Sequence, residues 1–236
     1  MVIIPLFSIF PEAVLISIAG CIIGSLIPDI DSRDAVIFHT EVKEFRNSGP
    51  LSALNTFALI FPLFGYLTKY CIYKPSVIVF NTLIFSENSL KMKHRGFMHS
   101  ILGISTSTLV TGIYITPFLI FFDLFSIHFL SIFLSGYLLG AFLHLVQDSC
   151  TRSGVKWLHP YSDLKVRGNL ITNARPENTR YQRFFLKYLT AVGLLVLITS
   201  TVYSEISSHV FSVYSFVLAA LSWLVFVKFL ARCRTQ

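Results

Sequence analysis

One stretch of the sequence decides the fold: residues Leu124 to Gln147 read LFSIHFLSIFLSGYLLGAFLHLVQ. This run contains no Asp, Glu, Lys or Arg, and it is longer than the ~20 apolar residues that a helix needs to cross a bilayer. A charged side chain at its centre would cost about 3 kcal/mol. The run therefore predicts a transmembrane helix.

The composition of the whole chain agrees with this prediction. Of the 236 residues, 54% are hydrophobic and only 13% are charged. A soluble domain usually has about 25% charged residues, and a disordered chain combines low hydrophobicity with high net charge. Both classes are excluded. We expect an all-α, polytopic transmembrane helical bundle, with residues 1–236 forming a single membrane-embedded domain.

Five further uncharged runs are candidate spans. They are Ala13 to Pro28, Asn47 to Thr68, Gly96 to Phe122, Tyr188 to Ser204, and Ile206 to Val227. No Lys or Arg precedes the first run, so an uncleaved span is a better interpretation than a secretion signal. The segment 51–86 is ambiguous: it forms either two short spans that turn near Lys69 and Lys74, or a re-entrant hairpin. The total is about five to seven spans.

The basic residues predict the orientation. All of them except Lys69 and Lys74 fall in loops or ends on one side of the predicted bundle, which by the positive-inside rule is cytoplasmic. The N-terminus is then outside and the C-terminus inside. Residues 148–187 form a basic cytoplasmic-side insert. Because orientation explains the net charge of +7, direct nucleic-acid binding is not expected.

Three pairs of polar residues lie at span ends on the predicted cytoplasmic face: Asp29 with Asp31, His94 with His99, and His144 with Asp148. Each pair alone has a structural explanation, respectively a helix stop, interfacial residues beside a basic patch, and a hydrogen bond at a helix end. The last pair has the i, i+4 spacing that puts two ligands on one helix face. The topology brings all three pairs to one layer.

Taken together, three Asp and three His favour a metal site. Mixed imidazole and carboxylate ligands suit Zn, Mn or Fe, whereas Mg and Ca prefer oxygen alone. We expect one or two divalent ions, with a carboxylate bridging if there are two. The four cysteines have no CxxC spacing and imply neither a disulfide framework nor a thiolate site.

At these residues the sequence resembles the YdjM-like family of LexA-binding, inner-membrane-associated metal-dependent hydrolases. The resemblance rests on three motifs in family order: Leu26 to Asp31, His94 to Ser100, and Gly140 to Val155. It implies a polytopic protein of the bacterial inner membrane, metal-dependent hydrolase activity and a LexA-type protein partner.

The sequence departs from the family pattern at two places. Ser32 and Arg33 stand where members commonly have a His soon after the Asp pair, and Met98 replaces the usual Thr before the second His. His39 is a weak substitute for the missing His.

Two functions follow from this pattern. The first is a hydrolase whose metal lowers the pKa of bound water towards ~7. Its catalytic residues would be Asp29, Asp31, His99 and Asp148. A phosphoester or lipid-linked substrate would be bound by Arg95, Arg167 and Arg175. The alternative is that these cations only set the orientation of the protein in the membrane and bind anionic headgroups.

The second function is non-catalytic: a membrane scaffold or docking protein with a structural metal site. A transporter with a proton relay is less well supported, because a relay needs acidic residues at mid-membrane and the three Asp residues lie at span ends.

Overall fold

The computed structural model describes residues 11–31, 38, 60–84, 96–171, 180–202 and 208–235. It confirms the all-α class. The helices are α1 (Pro11–Leu26), α2 (Ile60–Thr68), α3 (Lys74–Ile84), α4 (Ile101–Phe121), α5 (Ile127–Ser149), α6 (Arg180–Val202) and α7 (Ser208–Val225). Two short strands, β1 (Val166–Arg167) and β2 (Arg234–Thr235), form an antiparallel pair.

Four described helical segments are long and apolar enough to cross a membrane: Pro11–Ile30, Ile101–Phe121, Ile127–Ser149 and Ser212–Leu230. Each coincides with a span predicted from the sequence. Helix α6 covers most of the predicted run Tyr188 to Ser204. Four spans are slightly fewer than the expected five to seven, and the architecture remains that of a helical membrane bundle.

The first alternative for 51–86, two short spans that turn near Lys69 and Lys74, is not found. Helices α2 and α3 are joined through a π-helical segment, Lys69–Tyr73, so that 60–84 is one helical stretch. The Lys74 N–H donates to the Lys69 carbonyl, five residues back. Pro75 has no N–H to continue the α-helical ladder, and a π turn just before it accommodates that loss. Residues 47–59, 85 and 86 lie outside the described residues.

The two lysines are tolerated in this helix because their ammonium groups face aromatic rings. Lys69 Nζ lies 5.0 Å from the centre of the Phe38 ring, and Lys74 Nζ lies 4.2 Å from the centre of the Tyr70 ring. Such contacts stabilise a cation by about 0.5–2 kcal/mol, depending on its desolvation. The charges therefore do not require a turn.

The chain divides into two compact units. The central unit comprises Ala19–Leu145 and Val155–Leu164; the terminal unit comprises Met1–Ile18, Val146–Gly154 and Lys165–Gln236. The expectation of a single domain stays a prediction.

The central unit has an apolar core built from the turns at the helix ends. Buried residues of this core are Ile27, Ile30, Tyr73, Val77, Phe80, Phe97, Met98 and Tyr137. They come from the turn after α1, from the π segment and α3, from the turn before α4, and from α5. The two turns that carry predicted site residues are thus packed on one core.

The terminal unit is held by a second core and by a small sheet. The core comprises Cys150, Leu170, Phe185, Phe226 and Ala231. In the sheet, Val166 pairs with Thr235 and Arg167 with Arg234. Next to the sheet, Leu170 N donates to Cys150 O, just after α5, and Asn169 N donates to Ala231 O, in the C-terminal tail. The chain that follows α5 is therefore tied to the C-terminal tail.

Candidate metal centre

Asp29 lies on a short 3-10 turn, Pro28–Asp31, that follows α1. The isoleucines on either side, Ile27 and Ile30, are fully buried, and the Ile30 N–H donates to the Ile27 carbonyl. Burial of these apolar neighbours fixes the turn. The Asp29 side chain retains 44% of its exposure, so one side of this carboxylate is accessible.

His99 ends a second 3-10 turn, Phe97–His99, and is fully buried. Ser100 then caps α4: its Oγ accepts a hydrogen bond from Gly103 N at 3.0 Å and donates to the Phe97 carbonyl at 2.7 Å. This cap satisfies an N–H at the start of the helix and holds the preceding turn in place. Met98 is fully buried in the core, which gives this departure from the family pattern a packing role.

His144 is brought to Asp29 by close backbone packing of α5 on α1. A Cβ placed on Gly20 would lie 2.3 Å from the Phe133 carbonyl oxygen, and one placed on Gly140 would lie 2.0 Å from the Cys21 carbonyl oxygen. Real Cβ atoms do not approach so closely. Only glycine allows the two helices to approach this closely. Gly20 and Gly24 of α1 are four residues apart, a spacing of small residues that permits such packing between membrane helices.

Both histidines point at the same oxygen. His99 Nε2 lies 3.6 Å and His144 Nε2 lies 3.5 Å from Asp29 Oδ1. The two rings are edge to face, with centroids 5.8 Å apart. These distances are longer than good hydrogen bonds. In a tetrahedral zinc site, each bond from the ion to a ligand atom is about 2.1 Å long, so two ligand atoms are about 3.4 Å apart. The two N···O distances here are close to that value.

Asp148 lies one turn beyond His144 on the same unbroken helix, α5, which puts both side chains on one face. Asp29, His99, His144 and Asp148 each offer one ligand atom, and these atoms lie within 4.8 Å of one another. Two imidazole nitrogens and two carboxylate oxygens are a donor set that fits Zn, Mn or Fe. The described residues therefore fit a divalent ion.

Most of the other predicted site residues have no described side chain. Outside the described residues are His94, Arg95, Arg175 and the weak candidate His39. Asp31 ends the turn that carries Asp29, but nothing of its side chain is described. Their assignments stay predictions.

Arg167 belongs to the terminal unit, in β1. It lies against a tight turn at Gly154, which has a φ of +59°. A Cβ on Gly154 would lie 2.5 Å from the Arg167 Cβ, so only glycine fits here. The backbone near Arg167 is also held by a hydrogen bond from Gly168 N to Thr151 O.

Thr151 explains why the third motif continues past Asp148. Its Oγ1 donates to the Asp148 carbonyl at 2.7 Å and accepts from Gly154 N at 3.3 Å. The threonine thus closes the C-terminal end of α5 and connects it to the Gly154 turn. The motif spacing from Asp148 to Thr151 to Gly154 has a direct structural reason.

Sequence reasoning missed two features. The first is the pair Gly20 and Gly24, whose four-residue spacing is a recognisable signal for close helix packing. The second is the proximity of Cys150 and Cys233, with Sγ atoms 3.5 Å apart. Burial raises the pKa of both thiols, most strongly that of Cys150. No sequence pattern signals that pair.

Comparison with known proteins identifies one family. The family model described as YdjM inner membrane protein matches residues 2–231. The comparisons with curated proteins and with solved structures gave no match.

Proposed function

The chain belongs to the YdjM inner membrane protein family, and from that premise we propose that it is a membrane-bound, metal-dependent hydrolase. The observation that carries the proposal is the convergence of Asp29, His99 and His144, which come from three separate parts of the chain. His99 is fully buried, and an ionisable residue buried in a membrane protein is costly and is usually kept for function.

The uneven burial of the ligands favours catalysis over a purely structural role. His99 is fully buried and His144 is 16% exposed, whereas Asp29 is 44% exposed. Structural zinc sites are closed by four protein ligands, while catalytic sites keep a position open for water or substrate. The proposed set already has four protein ligands, so catalysis would need a fifth position, and catalytic zinc can expand to five ligands. The exposed side of Asp29 leaves room for water or substrate at that position.

Each residue would have a distinct role. His99 and His144 would hold the ion, and Asp29 and Asp148 would supply the carboxylates that balance its charge. The ion supplies Lewis-acid chemistry by lowering the pKa of a coordinated water from ~15.7 towards ~7. Asp31 and His94 complete the proposed ligand set and would be available to a second ion.

We propose an anionic substrate, either a phosphoester or a lipid-linked molecule, that is cleaved at the cytoplasmic face. A guanidinium matches phosphate oxygens in a bidentate manner, which is the role proposed for Arg95, Arg167 and Arg175. The basic segment 148–187 begins at the proposed ligand Asp148. Placement of the site in the cytoplasm rests on the positive-inside rule, with the N-terminus outside and the C-terminus inside.

The first experiment measures metal. Wild-type protein and a His99→Ala, Asp148→Ala double variant are purified in parallel, and their zinc, manganese and iron contents are determined. His128→Ala serves as the control, because His128 is exposed near the other end of α5. We expect the wild type and the control to retain a transition metal and the double variant to lose it. Equal contents in all three would overturn the site.

The second experiment measures activity. The metal-loaded wild type is assayed against generic phosphomonoesters, phosphodiesters and phospholipids, with the double variant as blank. Hydrolysis that depends on the ligands supports the proposal. Metal retention without hydrolysis of any ester would favour the alternative, a scaffold or docking protein with a structural metal site, for which the family resemblance suggests a LexA-type partner.

A further inference from the structure

An apolar groove of about 330 Å³ runs between α6 and α7 in the terminal unit. Its walls include Phe184, Phe185, Leu218, Leu221 and Phe226. Phe184 and Leu221 are 65% and 56% exposed, so the groove is open along its side. Its volume lies at the lower end of the ~300–1,000 Å³ that small-molecule sites occupy.

One wall of the groove is long: it runs from Leu218 in α7 to Leu230 in the π-helical segment that follows, which is about 18 Å at ~1.5 Å per residue. The α6 wall is shorter and is lined from Phe184 to Tyr188. The two walls run antiparallel: Phe185 stacks on Phe226, with centroids 4.1 Å apart, and one turn further on Tyr188 faces Ser222. This shape suits a linear chain better than a compact ligand.

A pair of polar groups joins the two walls. The Tyr188 hydroxyl lies 3.2 Å from Ser222 Oγ, and Ser222 Oγ also donates to the Leu218 carbonyl. Because the Ser222 hydroxyl donates to Leu218, the Tyr188 hydroxyl is the donor to Ser222 Oγ. The pair therefore satisfies its own donors and links the two apolar walls at one level.

Three exposed cations flank the end of the groove near Phe185 and Phe226. Arg183 and Lys187 lie on the first turns of α6, and Lys228 lies in the π-helical segment that follows α7. Because Phe185 stacks on Phe226, these segments meet at the same level. The described residues from 165 onwards contain no Asp or Glu. The local potential is therefore positive.

We propose that this groove binds an anionic phospholipid, with one acyl chain along the apolar walls and the phosphate beside Arg183, Lys187 and Lys228. Helix α7 belongs to the candidate span Ser212–Leu230, which places the groove in contact with the bilayer. Apolar burial alone would accept any lipid, and the cations select the negative headgroup.

Trp223 is a natural reporter of this site. Its ring is edge to face with Phe185, at 5.1 Å, and with Phe226, at 5.8 Å. The other tryptophan, Trp157, belongs to the central unit and is replaced by Phe in the test background. Full-length protein is then titrated in micelles with phosphatidylglycerol or phosphatidylcholine whose acyl chains carry bromine, a contact quencher of tryptophan.

We expect the phosphatidylglycerol to quench Trp223 with an apparent association constant at least about fivefold higher than that of the phosphatidylcholine, which is the effect of about one basic residue near the surface. Lys187→Gln should lower this preference severalfold. The matched control is Lys156→Gln, because Lys156 is a partly exposed cation of the central unit, paired with Asp163.

Equal quenching by the two lipids in the wild-type groove would overturn the proposal, as would an identical loss of preference in Lys187→Gln and Lys156→Gln. None of these measurements depends on metal content or hydrolysis, so the lipid site stands or falls independently of the proposed activity.

Discussion

A Cβ added to Gly24 of α1 would lie 1.9 Å from the carbonyl oxygen of Tyr137 on α5. One turn earlier, Gly20 makes a similar approach to Phe133. The two helices therefore touch backbone to backbone, and they run in the same direction. Asp29 follows Gly24 by five residues and His144 follows Tyr137 by seven, so this contact brings the two proposed ligands to the same end.

Gly24→Ala should destabilise the protein. The added methyl overlaps with main-chain atoms that cannot move aside, and overpacking of this kind typically costs about 1–3 kcal/mol. We expect a lower midpoint of thermal unfolding in detergent, together with loss of bound metal as α1 is pushed away from α5.

Gly112→Ala is the matched control for that substitution. A Cβ there would meet only the Leu134 side chain, with Cδ1 at 3.1 Å, and a leucine can change rotamer. Alanine also favours the helix over glycine by about 1 kcal/mol. The control should be neutral or slightly stabilising. If both variants unfold at the same temperature, the close approach of α1 and α5 is not the origin of the effect.

Asp29→Asn should weaken metal binding selectively. Asparagine keeps the size of the side chain but removes the charge that both histidines face, so zinc affinity should fall by more than about tenfold. Competition with a chromophoric chelator measures this affinity. The control is Asp163→Asn, whose carboxylate is 90% exposed and pairs with Lys156. Unchanged zinc affinity in Asp29→Asn would remove this carboxylate from the ligand set.

Much of the candidate site follows from local patterns. The i, i+4 spacing of His144 and Asp148 is a property of any helix, and Pro28 marks the end of α1. That Asp29 and His144 lie together was predicted from topology, because spans that cross in the same direction end at the same face. These inferences needed no knowledge of tertiary packing.

The segment 60–84 shows where local reasoning failed. A turn near Lys69 and Lys74 was one of two alternatives for 51–86, because the segment begins and ends on the predicted basic side. In the structure, their ammonium groups lie over Phe38 and Tyr70, and the helix continues. Whether an aromatic ring is present to receive a cation depends on packing, which a single sequence does not specify.

The glycines illustrate a second limit. The spacing of Gly20 and Gly24 is visible in the sequence, but the helix that they contact is not. Their partner α5 lies more than a hundred residues later, and Gly140 completes the contact from that side. A pattern of small residues predicts that some helix approaches closely, and the structure is needed to identify which one.

Ser100→Ala should destabilise the start of α4. The substitution removes the hydrogen bond that Gly103 N donates to Ser100 Oγ and the one that Ser100 donates to Phe97, and loss of such a cap costs about 1 kcal/mol. Thermal unfolding in detergent measures the effect. Because Ser100 follows His99 directly, metal affinity should fall as well.

The control for the cap is Ser126→Ala at the start of α5. Ser126 Oγ lies 3.5 Å from Phe129 N, which makes it a much weaker cap. We expect a change of less than about 0.5 kcal/mol, since a partly exposed residue without a strong contact contributes little. If Ser126→Ala lowers the stability as much as Ser100→Ala does, the Ser100 cap has no special role.

Cys150 and Cys233 should form a disulfide when the protein is treated with diamide, which takes up the two protons and two electrons that the thiols release. Their Sγ atoms are 3.5 Å apart although the residues are separated by most of the C-terminal third of the chain. Mass spectrometry of the digested protein should show the linked peptides, and Cys233→Ser should abolish them.

The rate of this reaction should rise with pH over an unusually alkaline range. Burial raises the pKa of the Cys150 thiol, the nearby Cys233 raises it further, and burial raises the pKa of Cys233 above the usual value of 9.0. Only the thiolate reacts, so both thiols stay largely protonated and slow at pH 8 and react faster as the pH passes 9. A rate that is already maximal at pH 8 would contradict the burial of this pair and the docking of the C-terminal tail beside α5.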